Sequence, residues 1–112
     1  MPLDHGLLEL MREDLADAPG ISEKRMFGGV CFLLDGNMVC GVSGTGLMFR
    51  VGKSAHAEAL AQAGVREMTF TGRAMGGFVE VAPEDAEDAP RARLVALALA
   101  HARGLPPKGA KG

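Results

Sequence analysis

Tryptophan and tyrosine are absent from this sequence, and phenylalanine occurs only five times in 112 residues. Proteins that hold single-stranded nucleic acid stack its bases on aromatic rings, so that platform is largely missing. Positive charge is not in excess either: twelve Lys and Arg stand against fourteen Asp and Glu, a net charge of −2. Phosphate neutralisation takes clustered cations, and this balance argues against direct nucleic-acid binding. No apolar run reaches the roughly 18 residues of a membrane helix, and acids occupy the N-terminal segment where a secretion signal would be basic and then apolar. The expectation is a cytoplasmic protein without a membrane partner. Cysteine is scarce, with only Cys31 and Cys40 available for thiol chemistry.

What is present is ordinary globular material, 47% hydrophobic and 23% charged, in a chain long enough for one domain that buries about two-thirds of its unfolded surface. Seven methionines help fill the core in place of aromatic rings.

The organising stretch is 24–51, KRMFGGVCFLLDGNMVCGVSGTGLMFRV. It predicts a meander of three strands, Met26–Leu34, Met38–Val42 and Leu47–Val51. Asp35-Gly36 is a strong type I′ hairpin signal because both central residues of that turn need positive φ. Gly44 and Gly46 mark the second turn. Side chains alternate along a strand, so Cys31 and Leu33 face one way while Phe32 and Leu34 face the other. Both sets are apolar, as are Leu47 and Phe49 on one side and Met48 on the other. A layer greasy on both faces calls for helices on one and a second cover, a subunit partner or a folded-over segment, on the other. A homodimer is expected.

Gly28 and Gly29 weaken a strand and mark a bulge or bend, or else a close approach of a ligand or partner backbone. A two-residue loop at Asp35-Gly36 sets Cys31 directly opposite Cys40, a geometry open to a redox pair; in a reducing compartment the two act as small buried hydrophobes.

Around this core, Leu3, Leu7, Leu8, Met11 and Leu15 form a helical stripe over 3–17, stopped at Ala18-Pro19-Gly20. Ser54 reads as the N-cap of a helix over 55–63 that ends at Gly64. Gly52-Lys53-Ser54 is not a phosphate loop, since Leu47 stands where that motif needs its first glycine. Two strands follow, over 67–73 and 75–81. A last helix runs over 89–103 with Asp88 and Pro90 at its start; apolar around most of its girth, it belongs in the middle of the fold or against a partner. The domain spans 1–104, and 105–112 is a short, basic, mobile tail.

No local motif carries chemistry. His5, His56 and His101 are scattered over three helices with no metal-ligand spacing, and neither a metal, a cofactor nor a catalytic residue is implied. The arginines stand out more. Arg50 sits inside an apolar strand, where a guanidinium needs an acid partner, and Glu80 is the natural one. The other reading joins Arg25, Arg50 and Arg73 into an anion-binding or partner-binding patch.

On Arg25-Met26-Phe27-Gly28-Gly29, Phe32–Met38 (FLLDGNM), Gly46–Val51 (GLMFRV) and Phe70–Val81, the chain resembles the N-terminal domain family of the TfoX/Sxy competence regulators. The resemblance covers residues 5–103. It implies an α+β single domain, α-β-β-β-α-β-β-α, with a mainly antiparallel sheet and helices packed on it, as in secretion-chaperone and TfoX-N folds. A C-terminal helical domain is not matched, so a stand-alone N-terminal domain is expected. The two-faced sheet, the over-apolar last helix and the lack of a catalytic constellation lead to the expectation of a non-enzymatic regulatory or protein-interaction role. The alternatives are a small anionic-ligand-binding protein or an enzyme with an Arg-lined cleft and, third, a nucleic-acid-associated transcriptional regulator.

Overall fold

The structure is a computed structural model, and it describes residues 4–26, 28–44, 46–70 and 73–106. The first helix, α1 (His5–Asp14), begins where the Asp4 carboxylate accepts the Leu7 amide at 3.1 Å, a side-chain cap for an otherwise unpaired donor. Its stripe of Leu7, Leu8 and Met11, continued by Leu15, is buried. Strands β1 (Ile21–Met26), β2 (Gly29–Leu34), β3 (Asn37–Ser43) and β4 (Gly46–Arg50) follow as consecutive hairpins. A 3-10 turn at Lys53–Ala55 leads into the short helix α2 (His56–Leu60), then come β5 (Val65–Phe70), β6 (Arg73–Val81) and the long helix α3 (Asp88–Arg103).

The six strands form one sheet in the order β1-β2-β3-β4-β6-β5, every pair antiparallel. The fold class is therefore the α+β class expected, with one more strand than the three of the meander. Before the Phe27 position the chain already pairs as β1, and Gly28 (φ 76°) closes a tight turn into β2. The strand escapes a pattern search because Ser22-Glu23-Lys24-Arg25 has no apolar alternation; it is an edge, where charge is the normal composition.

Helices α1, α2 and α3 share one face of the sheet, α3 lying along β2, β3 and β4 and α2 over β5 and β6. That face supplies the core: Val30, Phe32, Leu34, Val39, Cys40, Val42, Leu47, Phe49, Val79 and Val81 pack against Leu8, Met11, Leu94, Val95, Ala98 and Leu99. Truncating a ring such as Phe32 or Phe49, both essentially unexposed, to alanine would cost about 3–5 kcal/mol.

Two expectations about helices change. Ser54 lies inside the 3-10 turn and caps nothing, and α2 covers one turn rather than two. The apolar girth of α3 comes from alanine: Leu94, Val95 and Leu99 face the core, while Ala92, Ala96 and Ala100 face outward. This helix needs no partner to hide it.

The β2–β3 hairpin keeps its two-residue turn, with Asp35 (φ 50°) and Gly36 (φ 86°) both left-handed. Register then slips by one. Leu33 faces Met38, but Phe32 faces Cys40, leaving Val39 as an extra residue on β3. Val39 and Cys40 are both fully buried toward the helices. Cys31 consequently stands opposite Gly41, on the other side of the sheet from Cys40, and both thiols are free. The redox pair is thus ruled out by the bulge, because side chains on opposite faces of a sheet cannot bridge.

Residues 107–112 of the expected tail lie outside the described residues; before them, the Pro106 carbonyl accepts the Asn37 side-chain amide at 2.8 Å.

Candidate functional site

Among the described residues no helix packs on the second face of the sheet, and its side chains can be placed from strand register, because cross-strand partners share a face. Three rows emerge. The first holds Gly29, Ser43 and Gly46; the second Lys24, Cys31, Gly41, Met48, Glu80 and Arg66; the third Ser22, Leu33, Met38, Arg50 and Phe78. Successive rows are about 7 Å apart, two residues along a strand.

The first two rows floor a groove of about 260 Å³, walled by Cys31, Met48 and Met68 and bounded by Arg66 and Glu80. Gly29 and Gly46 have an internal reason to be glycine, since a Cβ would strike the carbonyl oxygens of Val42 and Val81, at 2.3 and 2.2 Å. The close approach anticipated at Gly28-Gly29 is therefore that of the chain's own β3 at Gly29, while Gly28 serves the turn. Gly41 differs. A Cβ there would meet the ends of Met48 and Cys31 and the Val30 carbonyl oxygen at 3.4, 3.6 and 3.6 Å, all ordinary van der Waals contact.

The third row is a ridge. Leu33, Met38 and Phe78 are each half-buried, and the Arg50 guanidinium lies over the Phe78 ring at 6.0 Å, the outer limit of a cation–π contact. Glu80 pairs with Arg66 across the β5–β6 ladder at 3.1 Å. The expected Arg50–Glu80 bridge is replaced by these two contacts, because Arg50 registers with Phe78 and Glu80 with Arg66. Desolvation pushes the Cys31 thiol above its ordinary range and the Cys40 thiol much further.

The three arginines do not converge. Arg25 is exposed on edge strand β1 and registers with Val30, which points to the helix side. Arg50 is on β4 and points to the open side, three strand steps or about 14 Å away. Arg73 opens β6 opposite Phe70, and its side chain lies outside the described residues.

Two polar side chains carry structure that the pattern did not assign to them. Arg91, buried in α3, donates to Asp14 at 2.5 Å and to the Ala86 carbonyl at 3.0 Å, and pairs with Asp88 at 3.0 Å. Its signal is an arginine on the same helical stripe as Leu94 and Val95. His56 is more than a surface residue: its Nδ1 accepts the Gly77 amide at 3.0 Å, and Nε2 faces Glu67 at 3.4 Å, which ties α2 to β5 and β6. Among the described residues no three His, Cys, Asp or Glu side chains cluster in a way that could hold a metal ion. No helix of the described chain is long and apolar enough to cross a membrane.

An α+β domain with one helix-covered and one bare sheet face is the class these features define. The family profile described as TfoX N-terminal domain matches residues 13–102, and the chain belongs to that family. Comparison with curated proteins and with solved structures gave no significant match.

Proposed function

We propose that this domain is a non-enzymatic, regulatory interaction module that works as a homodimer, with the uncovered sheet face as its contact surface. One observation carries the reading: Leu33, Met38, Met48, Met68 and Phe78 stand half-exposed together on a face that no helix of the described residues covers. A contiguous apolar patch on a small domain is characteristic of a surface that meets another protein, and methionine suits such surfaces because it repacks at little cost. Membership of the TfoX N-terminal domain family is consistent with a regulatory role and contributes no catalytic residue.

Light scattering at micromolar concentration should give twice the chain mass. Met48→Lys, which places a charge in the middle of the face, should give the monomer with an unchanged circular dichroism spectrum. A wild-type chain that stays monomeric throughout the micromolar range overturns the reading.

A further inference from the structure

We infer that two copies meet open face to open face about a two-fold axis running across the strands, so that Arg50 of each copy lies against Glu80 of the partner subunit. The inference rests on the dimeric reading and adds the geometry of the contact.

The bare face is divided in a way that suits its own copy. Its second row has a hollow at Gly41 and, beyond Met48, the acid Glu80 shared with Arg66, with Lys24 at the far edge; its third row has bulk at Leu33, Met38 and Phe78 and a cation at Arg50 that no acid of its own chain pairs among the described residues. An isologous contact must be self-complementary. A two-fold axis lying between these rows and perpendicular to the strands sets the third row of each copy over the second row of the other. Met38 then falls over the Gly41 hollow, and Leu33 over Cys31. Phe78 falls over Glu80 and Arg50 over Met48, and the Arg50 guanidinium then has to reach one strand to the side, about 5 Å, to meet Glu80 of the partner subunit.

Packed sheets lie about 10 Å apart, a gap that an arginine and a glutamate reaching from opposite sides can span. Gly41 gains a reason to be glycine that its own chain does not provide: strand glycines mark places where something approaches closely. Self-association along the sheet margins is disfavoured, since edge strand β1 carries exposed Glu23, Lys24 and Arg25 and edge strand β5 exposed Arg66 and Glu67.

A charge-exchange experiment tests the geometry in the full chain. R50E alone would set Glu against Glu at both symmetric contacts, and E80R alone would set Arg against Arg. Each should weaken self-association by about tenfold or more. An equimolar mixture of the two variants restores opposite charges at both contacts and should dimerise as the wild type does. In parallel, G41L should keep its circular dichroism spectrum and melt no lower than a monomeric reference such as Met48→Lys, while losing the dimer. If the wild type dimerises but the mixture is no better than either variant alone, this geometry is overturned and the dimeric reading stands. If the wild type is monomeric, both fall, even where it captures a different protein.

Discussion

Arg91 is the residue on which the packing of the helices turns. Its guanidinium is almost wholly removed from solvent and lies between Asp14 at the end of α1, Asp88 in the first turn of α3 and the Ala86 carbonyl. The neighbouring carboxylates, Asp14 first, hold its pKa above the ordinary value against the opposing effect of burial. A buried pair of this kind need not add net stability, but taking away one member leaves the other charge uncompensated. Asp14→Ala should therefore destabilise by about 3 kcal/mol, seen as a fall of roughly 10 °C or more in melting temperature. Asp14→Leu combined with Arg91→Met should recover most of that loss, and thermal denaturation of the two variants beside the wild type is the check. At the same scale, the two thiols should differ in kind. Cys31 opens into the groove and should alkylate slowly in the native protein, whereas Cys40 should react only at the rate of global unfolding. Mass-resolved labelling over time measures both rates.

At the level of elements, β1 is held by charge as well as by the ladder. Arg12 of α1 donates to both carboxylate oxygens of Glu23, at 2.8 and 2.9 Å. This holds the Glu23 carboxyl below its ordinary value of 4.5. A carboxyl depressed in the folded state stabilises above its unfolded value and loses that contribution as pH falls through the folded one. Glu23→Gln should leave the stability profile flatter below about pH 4.5 than the wild type, with a small effect near neutrality because the pair is exposed. Denaturant titrations at several pH values read this directly.

The sheet also shows where pattern reading succeeds and where it stops. Asp35-Gly36 announces its turn, and the alternation through Val30–Leu34 and Leu47–Arg50 gives both faces of β2 and β4 correctly, because burial enforces a two-residue period. The slip at Val39 is invisible in that pattern, since Val39 and Cys40 are both apolar and either register looks equally good. The partners of Arg50 and Glu80 were out of reach for a related reason: each is fixed by which residues face each other across β4, β6 and β5, and register between strands distant in sequence is set by the whole fold. Of the candidate site, Cys31, Leu33 and Met48 were legible from alternation alone. Phe78 and Met68 were not, because the β5–β6 boundaries are blurred by Gly72, Gly76 and Gly77.

For the molecule as a whole, the asymmetry of the sheet matters most. Three helices crowd one face, and the other shows half-covered sulfur and aromatic groups beside a glycine floor. If that face takes a second copy, the melting temperature must rise with protein concentration, because association stabilises the folded state by mass action. A further consequence lies in the rims. With Glu23, Lys24 and Arg25 along one border and Arg66 and Glu67 along the other, a third molecule finds no strand to lengthen and no exposed greasy layer to cover once two have joined. Growth ends there: concentrated solutions should level off at a fixed particle mass and stay clear, where an open-ended assembly would thicken into fibres.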